Sequence, residues 1–514
     1  MEQIIITKPS YQECYIGTTI ISGSILFNSK LFHNDKASFN YNELLDYESN
    51  RNNYMIGGVL KLTGITEYKN AKTHKCMYEF TPINWRYPKF LVPSEIKNNL
   101  IKKKEKIIDY FVVIQFKEWS SKYPIGTINR CIGPIDNLIN KYEVLFYYYP
   151  ENPYILNKLT SQQTVYLTQY NILDVIHIIS IDPIGCKDID DAISYDPINN
   201  KIGIHIADVN YVIKNQNIIN SKYSTIYAPH KIINMLPDEL AFNHCSLIEN
   251  YVRPVISCWI DIENMTFRFK REFIKVRKNY SYDEFDVEFN KLRKNKDNLL
   301  NILFEFSQLL NSQFNYVETV KSSHEMVEVY MIFLNNKVAE ILQEDNIIYR
   351  NQLPCEFAEY SYENKGHSYM KLKHYTHFTS PIRRAVDQYV HQVLINKFFD
   401  KIEINKLDID KVNKFELELK KVNLQWNYLK VSDKIMNGEL YTVQFVGFNK
   451  NYIEFKYLEH NVLINNKLLF SIINENTVCI QNKEYELNKN YELPLYVINN
   501  TKNLYFPKII IKFI

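Results

Sequence analysis

The chain reads as a multidomain α+β protein, with small β-barrels or sandwiches at both ends and a mixed α/β body between them. Three observations carry this expectation. Short β-branched and aromatic runs separated by turn clusters fill residues 1 to about 165 and return after about 437. Helical periodicity governs about 297 to 435. A length of 514 residues is enough for about three domains, with a core that needs no covalent staples.

In the first region the predicted strands are Tyr15–Phe27, Ile56–Leu62, Phe111–Phe116 and Tyr142–Tyr149. The run KKKEK at 102–106 reads as a solvated loop or helix end. From about 172, NILDVIHIISID predicts a strand that ends at an Asp-rich loop. DAISYD, the turn PINNK and IGIHIADV then predict a hairpin. After the helical region, GELYTVQFVGF, NYIEFKYL, KLLFSI, TVCI and YELPLYVI predict a separate small barrel. No internal repeat recurs at a fixed period.

Composition sets bounds. Lys+Arg 61 against Asp+Glu 58 leaves +3, which disfavours a protein that coats polyanions with its whole surface but permits a local basic groove. Eight cysteines without CxxC or paired Cys/His spacing point away from zinc and disulfide frameworks and towards a reducing compartment. The start, MEQIIITKPSYQE, lacks a basic segment followed by an apolar one, and no run of 18 apolar residues occurs, so neither secretion nor membrane spanning is expected. Tyr 40 and Phe 29 against Gly 12 are read as the codon bias of an A/T-rich genome before they are read as base-stacking platforms.

Chemistry concentrates in two places. Ser180–Ala192, SIDPIGCKDIDDA, holds Asp182, Asp188, Asp190 and Asp191, four carboxylates within ten residues. Pro183 and Gly185 favour a bend that lets them converge; six extended residues would hold Asp182 and Asp188 about 20 Å apart. Converging carboxylates repel unless protons or cations neutralise them, and hard oxygen donors suit Mg²⁺, Mn²⁺ or Ca²⁺ better than zinc. The spacing does not fit an EF-hand, and the alternative is a solvated acidic turn.

The second place is HYTHFTSPIRRAVDQYVHQVL, His374 to Leu394. Ser380 as N-cap and Pro381 as first helical residue predict a helix start. Ile382, Ala385, Val386, Tyr389, Val390 and Val393 then mark its apolar face, with Arg383–Asp387 and Asp387–His391 four apart and mutually reachable. Arginines in a first turn oppose the helix dipole, which suits an external anion such as phosphate; pairing with surface acids is the alternative. Acidic residues that hold cations, together with an arginine facing a phosphate, suggest metal-assisted phosphoryl chemistry.

These stretches resemble the catalytic (RNB) domain of the ribonuclease II / ribonuclease R family of 3′→5′ exoribonucleases. The resemblance is carried by IDPIGCKDIDDA at 181–192, IGIHIADV at 202–209, MLPDELAFNHCSL at 235–247 and YTHFTSPIRR at 375–384, in the family's order. VPSEI at 92–96 and YPIGTINRCIGPID at 123–136 are similar to the second cold-shock-type OB domain of the eukaryotic exosome-associated branch, whose endonuclease domain has no counterpart here. The resemblance implies four domains: a degenerate cold-shock/OB-like domain at 1–85, a second at 86–170, an RNB domain at 171–435 and a C-terminal OB-type RNA-binding barrel at 436–514.

It further implies that Asp182, Asp188, Asp190 and Asp191 position two Mg²⁺ (or Mn²⁺) ions at the last phosphodiester of single-stranded RNA, with release of nucleoside 5′-monophosphates. Asp190 matches the aspartate needed for cleavage more than for binding. Arg383 matches the contact to the scissile phosphate and Arg384 a supporting one. Tyr227 and Tyr282 match aromatics that contact terminal bases; core packing is the alternative for each. His205 shares a strand face with Gly203 and Ala207, and reads equally as an RNA contact or a satisfied core histidine. In the helix MVEVYMIFLNNKVAEIL at 326–342, Glu328 remains while Val329 stands where the family carries a second acid. RRAVD replaces the usual RRYAD. The expected partner is the 3′ end of RNA, with no membrane; the expected protein is a cytoplasmic monomer. A relative that binds RNA without turning it over is the second reading.

Overall fold

The computed structural model describes residues 1–7, 11–40, 43–63, 68–69, 76–149, 172–173, 177–213, 223–293, 298–354, 356–404, 406–449, 452–458, 462–466, 470–499 and 507–513. They form two compact units, one of Met1–Ile155, Ala228–Lys231 and Leu417–Ile514, the other of Leu156–Tyr227 and Ile232–Glu416. Parts of the predicted segments NILDVIHIISID, NYIEFKYL and KLLFSI lie outside the described residues.

The first unit holds the β-rich ends. A five-stranded sheet runs from Glu2–Ile6 to Glu43–Glu48, and a six-stranded sheet from Met55–Leu60 to Ile125–Pro134. Because the second sheet starts at Met55 and includes both Cys76–Pro82 and Phe90–Pro93, the expected boundary at 85/86 falls inside it. The predicted strand Tyr15–Phe27 is two strands, Glu13–Ile16 and Thr19–Ser22, and a short helix, Gly23–Asn28; Gly17 at φ +56° turns the chain between the strands. Tyr142–Tyr149 is not a strand. Asn137 caps a helix, Leu138–Val144, by accepting from the Asn140 amide, and a 3₁₀ turn follows at Leu145–Tyr147. The run is buried on successive residues, a pattern that a strand buried on both faces and a buried helix share. The C-terminal strands at 440–449, 452–457, 477–480 and 490–499 fall where the sequence placed them.

The second unit is built on a mixed sheet. Its strands are β1 (Ile178–Asp182), β2 (Asp191–Asp196), β3 (Lys201–Ala207), β4 (Val252–Asp261), β5 (Phe267–Lys275) and β6 (Lys278–Ser281). The order is β5-β4-β3-β2-β1-β6, with Ile172–Leu173 beside β5; β1 and β6 are parallel and β2 to β5 antiparallel. The predicted hairpin β2–β3 closes as expected: Asp196 accepts from the amides of Ile198 and Asn199, and Asn200 takes φ +50°. Helices α1 (Tyr282–Leu292), α2 (Leu299–Phe314), α3 (Ser323–Ile341) and α4 (Ala385–Phe398) follow. Ile179, Ile193, Ile204, Ile256 and Cys258 of the sheet join Phe285, Leu303, Phe333 and Val390 of the helices in one core.

Candidate active site

β1 carries Asp182 to the edge of a cavity of about 910 Å³. The chain then reverses in a four-residue turn closed by the Cys186 amide on the Pro183 carbonyl (3.0 Å), with Gly185 at φ +77° supplying the left-handed position. The bend expected from Pro183 and Gly185 is there. It returns Asp188 and Asp190 to Asp182, and β2 starts on Asp191. All four aspartates line the cavity, as do Arg383, Tyr227 and Tyr282.

Asp190 is the best anchored of the four. Its Oδ1 accepts from the Ile382 amide at 2.8 Å, and its Oδ2 lies 3.4 Å from Arg383 Nε. Asp188 accepts from Tyr227 Oη at 2.8 Å and from the Cys186 thiol at 3.6 Å. Burial, only partly offset by Arg383, pushes the Asp190 carboxyl up to about 8. Burial and the Asp188 charge push Asp182 up to about 6. Burial, Asp182 and Asp190 hold Asp191 well above the usual carboxylate range. In all three carboxyls burial is the main cause of the raised proton affinity, and the charges of neighbouring aspartates add to it.

Asp182 Oδ2 is buried with no hydrogen-bond partner among the described residues. An orphaned carboxylate oxygen beside crowded hard donors fits a divalent cation. Among the described residues no three His, Cys, Asp or Glu side chains stand close enough to form a ready-made cage, so binding would draw the carboxylates together.

The arginine end departs from expectation in one respect. Helix α4 starts at Ala385, not Pro381. Residues 223–225 run beside 383–385, with the Thr225 amide on the Arg383 carbonyl and the Ala385 amide on the Tyr223 carbonyl, both at 2.9 Å. This pairing holds Arg384 extended at φ −135°, ψ 127°. Asp387 therefore pairs with Arg384 (Nε 2.8 Å, Nη2 2.9 Å) and accepts from the Ser380 amide at 2.8 Å, rather than pairing with Arg383. Arg383, with a side chain 41% exposed, keeps its guanidinium at the cavity, where Nη2 donates to Ser380 Oγ at 2.9 Å. His391 bonds the Phe378 carbonyl at 2.7 Å instead of Asp387.

His205 is not at the cavity. It is fully buried between Ser194 Oγ (2.8 Å) and Ser257 Oγ (2.7 Å), and burial pushes it down to about 3. The space its ring fills is left by Gly203, where a Cβ would lie 2.7 Å from His205 Nε2. The RNA-contact reading of His205 is thus replaced by a core role. Val329 is fully buried, while Val327 and Glu328 line the cavity, so the lost family acid falls on a core position. Tyr282 opens α1, stacks on His324 (centroids 3.6 Å), and is pushed up to about 12 by burial and the Asp191 and Asp182 charges. Lining residues the sequence reading passed over include Asn335, Tyr375, His377 and Thr379. Three lie inside the YTHFTSPIRR motif, which was their signal; Asn335 had none.

The mixed sheet, the acidic turn and Arg383 together put four carboxylates and a guanidinium on one cavity of an α/β body. Residues 170–356 and 354–399 match the model of the RNB domain, and residues 77–149 that of the Dis3-like cold-shock domain 2 (CSD2). Over these residues the chain is similar to the RNB domain, and a stretch similar to the Dis3-like cold-shock domain lies ahead of it. Ribonuclease R of Chlamydia muridarum is 26% identical over 310 residues, covering 42% of this chain and 45% of that protein, so the chain spans under half of that relative. The structure of Mycoplasma genitalium RNase R in complex with ribose-methylated single-stranded RNA matches with a TM-score of 0.74 at 18% identity over the whole of both chains. Yeast Ssd1, a pseudonuclease, matches at 0.62 and 14% identity, over 91% of this chain and 78% of that one. The multidomain fold expected from the sequence is the one these structures share.

Proposed function

We propose that the chain is a divalent-metal-dependent 3′→5′ exoribonuclease that hydrolyses single-stranded RNA to nucleoside 5′-monophosphates, acting as a cytoplasmic monomer. The observation that carries this is the meeting of Asp182, Asp188, Asp190 and Asp191 with Arg383 on one cavity. The four carboxylates would hold Mg²⁺ or Mn²⁺, which when bound lowers the pKa of water and neutralises phosphoryl oxygens. Arg383 stabilises charge developing on the phosphate. Ile382 and Arg383 orient the Asp190 carboxylate, one at each oxygen. Tyr227 and Tyr282 present rings for the terminal bases, a contact indifferent to sequence. The RNA complex of the Mycoplasma genitalium relative supports single-stranded RNA as substrate.

A second reading, RNA binding without turnover, is favoured by the fold shared with the yeast pseudonuclease. A 3′-labelled single-stranded RNA separates the two. Labelled mononucleotide released in Mg²⁺ and withheld in EDTA supports the exonuclease; retention of intact RNA in both supports the second. The described helices include none long and apolar enough to cross a membrane.

A further inference from the structure

His377 lines the cavity beside Thr379, Ser380 and Arg383, yet the chemistry above leaves it without a task. Its segment is rigidly held. Asn335 Oδ1 accepts from the Phe378 amide at 2.8 Å, and Asn336 Nδ2 donates to the His374 carbonyl at 2.8 Å. His377 Nδ1 lies 2.7 Å from the Tyr360 hydroxyl. Tyr360 is 4% exposed, with the Arg350 guanidinium 4.4 Å over its ring. A buried phenol donates its proton, and among the described residues Tyr360 Oη has this hydrogen bond to give it to. Nδ1 is then the acceptor, and the ring proton sits on Nε2, at the opposite edge of the ring. Burial and the guanidinium groups of Arg384, Arg350 and Arg383 hold the ring well below the usual histidine range, so it is neutral.

We propose that His377 is a substrate-binding residue whose neutral Nε2–H donates to a non-bridging phosphate oxygen of the bound RNA, next to the phosphate met by Arg383. This rests on the nuclease reading of the same cavity. An arginine-lined wall is suited to phosphate, and a neutral donor adds a hydrogen bond without adding a charge. RNA binding through His377 therefore takes up no proton.

The test compares full-length wild type with H377A, H377Q and Y360F on a single-stranded oligoribonucleotide. Mononucleotide release should fall roughly 10- to 100-fold in kcat/KM for H377A, the loss of one hydrogen bond to a charged acceptor. H377Q, which keeps a donor, should recover most of it, and Y360F should show a smaller loss in the same direction. RNA affinity in EDTA should weaken for H377A by a similar factor at pH 6 and pH 8. An unchanged H377A, or an H377Q as impaired as H377A, overturns the proposal. So does a loss of affinity that disappears when the last four sugars are 2′-deoxyribose, because the contact is then to the 2′-hydroxyl. If wild type releases no mononucleotide, the nuclease reading fails by itself, and the affinity measurements still decide the contact.

Discussion

Arg383 Nε stands 3.4 Å from Asp190 Oδ2 while the neighbouring Ile382 amide donates to Asp190 Oδ1 at 2.8 Å, although 192 residues separate the bonded pair. The acidic turn and the arginine segment therefore act as one unit. Asn at position 190 keeps an oxygen for the Ile382 amide and removes the charge. D190N should fold normally and bind RNA nearly as well, while its single-turnover cleavage falls roughly 10²- to 10³-fold, the scale for removing a preorganised charge from a reacting centre. Filter binding beside quenched-flow assays separates the two; equal loss in both would mean that the charge serves binding.

Arg383 and Arg384 are adjacent but do different work. Arg383 faces the cavity, whereas Arg384 is paired twice to the buried Asp387. R383A should lower turnover with little change in stability. R384M leaves the Asp387 charge buried and unpaired, and should destabilise by about 3–5 kcal/mol. Urea unfolding of the two variants, with R384M/D387L as the double variant, checks this: the double variant should be more stable than R384M alone.

Much of this site was legible in the sequence because its determinants are local. Pro183 and Gly185 encode the reversal that gathers the aspartates, and the turn PINNK between two apolar runs encodes the β2–β3 hairpin. What the sequence concealed depends on distant partners. The start of α4 moves to Ala385 because residues 223–225 pair with 383–385, and that same pairing exchanges the arginine bound to Asp387. His205 and Gly203 looked like an open strand face, but a ring two residues along the strand fills the gap and bonds Ser194 and Ser257 on neighbouring strands. Tyr142–Tyr149 carries residues that both a strand and a buried helix accept, and the Asn137 cap decided it.

The crowded carboxyls make cation binding a stability effect with a defined pH sign. The folded-state values of Asp182 and Asp190, about 6 and about 8, lie above the ordinary carboxylate value. Their protonated forms thus add stability that is fully present below about pH 4 and is lost as pH rises through about 6 and then about 8. A divalent cation binds the ionised forms and releases these protons, so it offsets the loss where it is largest. Millimolar Mg²⁺ should raise the thermal midpoint more at pH 8 than at pH 5.5, and D190N should shrink that difference. Scanning calorimetry with and without EDTA reads it directly; an equal shift at both pH values would place the cation elsewhere.

Tyr227 carries a ring and a hydroxyl that substitution can separate. Its side chain is at the cavity, the residue is 48% exposed, and its hydroxyl donates to Asp188 Oδ2 at 2.8 Å. Phenylalanine keeps the ring and gives up the hydrogen bond; alanine gives up both. If the ring is a stacking platform, Y227A should weaken RNA binding by about 1–3 kcal/mol, the cost of one lost base–aromatic stack, and Y227F by much less. The hydroxyl works on a different observable. It occupies one oxygen of a carboxylate that would otherwise be free for a cation, so Y227F should shift the Mg²⁺ concentration needed for half-maximal cleavage while leaving RNA affinity in EDTA near the wild-type value. Fluorescence anisotropy in EDTA and a Mg²⁺ titration of cleavage measure the two separately. Equal RNA affinities for Y227A and wild type would remove the ring from the binding surface and leave Tyr227 solely as a partner of Asp188.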